Sequence, residues 1–229
     1  MDADPSGPFD GASATPARRA GGATGRAAGR AAGRRGARRS PRRQQILDTA
    51  AALFAERGFH GVSVDDLGAA TGVSGPALYR HFRAKEDVLV ELLLGVSDAL
   101  LEGGRRRRAA APDPAAALGA LVRFHVDFAL DDPDVITVQA RELANLSPGA
   151  SRAVRSLQHR YVQLWVEAID ACYACGSDTA AAAAHAAFGL MNSTPHSARL
   201  PRGEMAELLR AMATGAIAAV ADLPRPSPS

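Results

Sequence analysis

The chain has 229 residues, 47% of them hydrophobic but only 5% aromatic, so Ala, Leu and Val must build the core. That composition suits closely packed helices and argues against a β-sandwich. Its net charge of +3 is uneven: residues 1–43 hold ten arginines against three acids, +7, which leaves −4 for the remainder.

Residues 1–39 are Gly, Ala, Pro, Ser and Arg without hydrophobic periodicity, too little apolar surface to offset the entropy of ordering, so a disordered tail is expected there. No run approaches the roughly 20 apolar residues of a membrane span, and the N-terminus lacks a signal peptide's apolar stretch; a cytoplasmic protein without a membrane partner is expected. From Arg42 the pattern changes. Ile46, Ala50, Leu53 and Phe54 fall on one face of a helix that Gly58 ends. Ser63-Val64-Asp65-Asp66 reads as a capping box, opening a short helix with Leu67 and Ala70 on its buried face and a stop at Thr71-Gly72. Ser74 caps the next helix, with Pro76 in its first turn and Leu78 and Phe82 docking it.

Lys85-Glu86-Asp87 opens a long helix with Val88, Leu92 and Val96 every four residues, running to Arg105–Arg108, which reads as a solvated helix end, and to the breaker Pro112-Asp113-Pro114. Further helices are expected at 115–130, 134–145, 149–174, 178–193 and 203–221, about nine in all. The expected class is therefore all-α, with a small helix-turn-helix domain at 40–100, a larger helical domain at 101–223 and a disordered end at 224–229.

Cys172 and Cys175 form C-x-x-C without a second cysteine pair or a preceding strand, so ordinary packing is expected and no metal. No phosphate loop or dinucleotide glycine pattern occurs, which argues against an enzyme and against a cofactor.

The run from Arg43 to Leu92 resembles the DNA-binding domain of the TetR family of repressors. The resemblance rests on Ile46-Leu47-x-x-Ala50, Gly58-Phe59, Ser63, Leu67, Thr71-Gly72-Val73-Ser74, Leu78-Tyr79-x-His81-Phe82 and Lys85-Glu86. It implies a homodimer on a palindromic operator in double-stranded DNA, with a small-molecule effector bound behind the reading heads. Ser74, Gly75, Pro76 and Ala77 would form the approaching edge of the recognition helix, their small side chains allowing close contact. Arg80 is the candidate for base readout. Tyr79 and His81 would hold phosphates by resemblance, or else pack between helices. Ser63 and Lys85 place backbone N–H groups and a cation beside the DNA backbone, while Ala84 leaves the long helix without a side-chain cap.

The resemblance also implies a ligand pocket and a dimer interface beyond residue 113. Candidate apolar pocket walls are Phe124, Phe128, Tyr161, Trp165 and Phe188, with His125, Arg141, Glu142 and Asn192 as scarce polar groups; core packing or a surface pair is the alternative for each, and a solvated face for the Arg141-Glu142 run. The apolar stripes of the last two helices, including Met205, Leu208, Leu209, Met212 and Ile217, form either a four-helix dimer interface or internal core. The stretch from His185 to His196 resembles regulators of G+C-rich bacteria that respond to acyl-CoA thioesters in fatty-acid or branched-chain catabolism. A lipophilic drug or secondary metabolite is the competing ligand class. A non-specific architectural DNA-binding protein, using the Arg-rich tail, is the alternative of another kind.

Overall fold

The structure, a computed structural model, describes residues 40–72 and 78–223. Among the described residues every regular element is helical. Helix α1 (Pro41–Arg57) starts where the Ser40 hydroxyl accepts from Arg43 N and Pro41 presets the first turn; Gly58 ends it at φ 74°. Its buried face is Ile46, Leu47, Ala50, Ala51 and Phe54. Helix α2 (Val64–Thr71) has the expected capping box, with the Ser63 hydroxyl accepting from Asp66 N and the Asp66 carboxylate accepting from Ser63 N. Gly72 stops it at φ 67°, a left-handed geometry that glycine adopts without a Cβ penalty.

The buried face of α2 departs from the expected one. Ala70 is exposed, and Gly68 and Thr71 join Leu67 inside. The Thr71 hydroxyl stays satisfied there by donating to Leu67 O at 2.7 Å, and Arg42 of α1 donates to Thr71 O at 2.9 Å. The covering of α1, rather than apolar periodicity alone, selects which side of this eight-residue helix turns inward.

Helix α3 (Lys85–Ala109) is the spine shared by both halves: Val88, Leu89 and Leu92 belong to the head, and Leu100, Leu101, Gly103 and Gly104 to the body. The body adds α4 (Pro114–Asp131), α5 (Pro133–Glu142), α6 (Pro148–Tyr173), α7 (Ser177–Met191), the single turn α8 (Thr194–Ser197) and α9 (Arg202–Ala218). Short 3-10 turns follow α5 at Leu143–Asn145 and α9 at Ala219–Asp222, where α-helix was expected to continue. α3, α4, α6 and α7 pack on one another, α9 lies against α4 and α7, and α5 runs along α1. Trp165, Leu121, Ile169 and Met191 are fully buried at the centre. Each such side chain contributes about 1.5–3 kcal/mol by leaving water. The expected tails at 1–39 and 224–229 lie outside the described residues.

Candidate functional site

Two groups of residues carry the chemistry. The first is the head. α1 and α2 meet on Phe54, Phe59, Val62 and Leu67, and the segment from Leu78 docks on them through buried Leu78 and Phe82. Phe82 N and His81 N both donate to Leu78 O, at 3.0 and 2.8 Å, closing a helical turn. That turn leaves Tyr79 54% exposed with Arg80 exposed beside it, while His81 is half-buried. Packing of Tyr79 between helices is thereby excluded as its main role. Ser74, Gly75, Pro76 and Ala77, the expected approaching edge, lie outside the described residues.

A second layer of polar contacts locks the turn. Arg43 donates from Nε to both Glu91 oxygens, at 2.8 and 3.0 Å, and from Nη1 to His81 O, with its guanidinium 4.2 Å from the centroid of the Phe82 ring. The Glu91 contact raises the Arg43 pKa above its ordinary value. Sequence analysis assigned no role to this arginine, which is the first residue of the recognised run. Lys85 Nζ donates to Phe59 O and Val62 O, both at 2.7 Å, and lies 4.2 Å from the Phe59 centroid. Two of its three donors are thus spent holding the loop before α2. Ser63 and the N-terminus of α2 face outward; hydrogen bonds from the Ser63 hydroxyl and N–H hold the Asp66 carboxyl below its ordinary range. Ala84 indeed forms no side-chain cap on α3.

The second group is in the body. His125 of α4, Tyr161 and Trp165 of α6, and Phe188 of α7 form one ring cluster. The His125 centroid is 4.9 Å from Phe188, 5.9 Å from Tyr161 and 6.0 Å from Trp165, and Phe128 adds a flank at 5.7 Å. His125 Nε2 lies 3.0 Å from Asn192 Oδ1 and Nδ1 lies 3.3 Å from the Tyr161 hydroxyl. With the amide oxygen as acceptor, Nε2 carries the proton and Tyr161 O–H donates to Nδ1. Burial pushes the His125 pKa down to about 4, against a smaller upward effect of Asn192, so the ring is neutral at pH 7. Burial likewise pushes the Tyr161 phenol upward. Trp165 Nε1 is buried and has no hydrogen-bond partner among the described residues.

Six of the expected pocket residues therefore converge: His125, Phe128, Tyr161, Trp165, Phe188 and Asn192. Phe124 lies apart, its ring against Gly103 and under the Arg107 guanidinium. Arg141 is not in the cluster. It is exposed at the joint between body and head, donating to Ala55 O at 3.2 Å, because α5 turns Val135, Ile136 and Val138 inward and sets Arg141 against α1. Glu142 is buried at the same joint, where it accepts from Asn145 Nδ2 at 2.6 Å, and His60 Nε2 donates to Asn145 Oδ1 at 2.9 Å. Cys172 and Cys175 are unbridged, and burial raises both thiol pKa values, which disfavours thiolate chemistry. Among the described residues no group of three or more His, Cys, Asp or Glu could hold a metal, and no helix is long and apolar enough to cross a membrane.

Comparison with known proteins matches these two halves to two family models. Residues 46–92 match the model for bacterial regulatory proteins of the tetR family, and residues 111–199 match a tetracyclin repressor-like C-terminal domain. The chain is 32% identical over 136 residues to the HTH-type transcriptional repressor KstR2 of Rhodococcus jostii, covering 59% of this chain and 67% of that one. The solved structure of the ketosteroid transcriptional regulator KstR2 of Mycobacterium tuberculosis superposes with a TM-score of 0.66 at 20% identity, covering 78% of this chain and 95% of that one. AibR, solved in complex with isovaleryl coenzyme A and operator DNA, has the same fold at a TM-score of 0.61 and 21% identity, over 75% of this chain and 97% of that one. The reading head, the helical body behind it and both sequence matches agree: the chain belongs to the TetR family of bacterial transcriptional regulators.

Proposed function

We propose that the chain is a homodimeric, sequence-specific repressor that leaves palindromic operator DNA when a small apolar or amphipathic metabolite, of the acyl-CoA class, enters the ring cluster of its body. The observation that carries the DNA reading is the exposed Tyr79-Arg80 pair on a turn pinned from behind by Leu78, Phe82 and Arg43. Rigid support under exposed readers is what groove recognition needs, with Arg80 on base edges and Tyr79, His81, Ser63 and the remaining Lys85 donor on phosphates. Ser74, Gly75, Pro76 and Ala77 supply the edge that enters the major groove.

Leu208 and Met212, 43% and 49% exposed and one turn apart on α9, support the dimer reading. Met205, Leu209 and Ile217 of the same helix are core, so the stripe expected from sequence divides between the two roles.

A physical route joins the cluster to the head. Asn192 ends α7; two residues later the Thr194 hydroxyl donates to Ala129 O at 2.7 Å, and α8 packs against α5, which packs along α1. A ligand that breaks the His125–Asn192 bond displaces α8 and α5, and through Arg141–Ala55 and His60–Asn145 it reorients the head. Release then follows from linkage, in proportion to the ligand's affinity ratio for the two arrangements. The acyl-CoA class is supported by the isovaleryl coenzyme A bound in AibR.

The test is a titration of purified protein against DNA upstream of its own gene at fixed salt, with Arg80→Ala in parallel. Specific binding weakened at least tenfold by Arg80→Ala and reversed by short or branched acyl-CoAs supports the reading. Binding that does not discriminate the upstream DNA from a scrambled duplex rejects it in favour of an architectural protein. Specific binding released only by lipophilic drugs rejects the effector class alone.

A further inference from the structure

Residues 103–108, Gly-Gly-Arg-Arg-Arg-Arg, end α3 beside the ring cluster. Gly103 and Gly104 form a notch in the helix surface. A Cβ at Gly103 would stand 2.3 Å from Phe124 Cζ, and one at Gly104 would stand 2.7 Å from Leu164 Cδ2 and 2.9 Å from Tyr161 Cε2. One turn further on, Arg107 and Arg108 lie over the same two sides of the notch. Their circumstances differ. Arg108 pairs with Glu167, and Arg105 with Glu102 at 2.7 Å. Arg107 forms no ion pair among the described residues. Its guanidinium lies 3.8 Å from the Phe124 centroid, and it donates to Gly103 O at 3.1 Å.

Burial, then the neighbouring Arg106, lower the Arg107 pKa. The Arg107 side chain is exposed, the Asp127 carboxylate acts on it without pairing, and its five N–H donors have one carbonyl partner, which leaves donors for an anion. On the Arg108 side of the notch runs a groove of about 460 Å³ lined by Arg105, Arg108, Arg160, Gln163, Leu164 and Glu167. Leu164 borders both groove and notch. Inside the cluster, the unpartnered Trp165 N–H offers a donor to a ligand carbonyl.

We infer that Arg107 is the anion anchor of the sensor: the ligand is an amphipathic anion whose apolar part separates the rings around His125 and whose charged group takes the Arg107 guanidinium off Phe124. Arg105, Arg108 and Arg160 then meet any further phosphates along the groove. Lifting Arg107 frees the Phe124 ring, which makes the anchor a trigger as well. This inference rests on the sensor reading proposed above, and DNA binding without ligand is measured alongside it to separate the two.

Trp165 is the chain's single tryptophan and lies in the cluster, so its emission reports occupancy without a label. Octanoyl-CoA, octanoate and the neutral octanamide are titrated against the full chain and against Arg107→Gln and Arg107→Lys. The expected result is that at least one anion binds the native chain at least tenfold tighter than octanamide, that Arg107→Gln removes this preference, and that Arg107→Lys restores part of it. Octanamide affinity should fall by less than anion affinity in both variants. Preference for octanoyl-CoA identifies phosphate as the group at the anchor; preference for octanoate identifies a carboxylate. Equal binding of anion and amide, equal loss of both in Arg107→Gln, or no emission change with any of the three overturns the inference. If specific DNA binding by the native chain persists in those cases, the regulator reading stands; if it is absent too, that reading fails separately.

Discussion

Two arginines among the described residues lie over phenylalanine rings, one in the head and one in the body, and their surroundings differ. Arg43 sits on Phe82 and is held by both oxygens of Glu91, which raise its pKa. Arg107 sits on Phe124 with one backbone carbonyl, and burial lowers its pKa. In the described part of the head, caps on α1 and α2, glycine stops and a carboxylate satisfy the groups that hold the Tyr79-Arg80 turn, Ala84 excepted. The body carries an exposed arginine without an ion pair among the described residues, an unpartnered indole N–H and a neutral buried histidine.

That contrast predicts where acid acts. His125 is buried with a pKa of about 4 against about 6.5 when unfolded. Between those values the unfolded chain binds the proton and the native chain does not, so stability falls as pH drops through this window, by a total on the order of 3 kcal/mol. Urea unfolding at pH 7.5, 5.5 and 4.5 should show the decline, and His125→Phe should flatten it; an unchanged slope in the variant would place the acid sensitivity elsewhere. The head's shifted carboxyl, Asp66, contributes only near and below its ordinary value of 3.8, under that window.

Gly103→Ala should destabilise the body by about 1–3 kcal/mol, since its Cβ would meet the Phe124 ring at 2.3 Å and the ring is backed by Arg107. Thermal unfolding reads the loss, and a melting temperature equal to the native chain's would mean that Phe124 is free to move aside. In the head, Glu91→Gln removes the carboxylate under Arg43 and should cost about 1 kcal/mol, a value discounted because both side chains are partly exposed. Its more telling readout is weaker operator binding, because His81 O loses a fixed donor.

The smallest effects test the caps by opposite signs. Ser63→Ala should destabilise by about 1 kcal/mol, losing the bond to Asp66 N. Ala84→Ser should stabilise by about 0.5–1 kcal/mol, since Ala84 already has the extended N-cap geometry at φ −149° and ψ 165° but no side-chain bond. Chemical denaturation of the pair would show whether the head's local devices act independently, the two changes summing in the double variant.

The head was the more legible region because its signals are local. Ser63 and Asp66 are three residues apart, Gly58 and Gly72 mark stops that only a left-handed or otherwise open backbone requires, and Leu78 and Phe82 share one turn. Composition and periodicity also located the helices of the body to within a few residues. Ala70 went astray because an eight-residue helix carries too few apolar positions to define its inner face, and the packing of α1 decided it.

For the body, the sequence singled out His125, Phe128, Tyr161, Trp165, Phe188 and Asn192 as residues of unusual type on apolar helices, and tertiary structure brought them together. It also separated Arg141 from them, since the side toward which α5 turns depends on α1, more than 80 residues earlier in the chain. The Gly-Gly pair and four arginines ending α3 were visible as letters, but their distinct roles were not. Whether Arg107 or Arg108 finds a carboxylate is decided by what α4 and α6 present across the gap: a phenylalanine to one and Glu167 to the other. By itself the sequence determined the helical class, the caps, the turns and the reading head, because those follow from backbone preferences within a few residues. The assembly of the ring cluster, the division of α9 between core and exposed stripe, and the absence of an ion pair at Arg107 among the described residues arise from contacts between distant helices, and only the folded chain decided them.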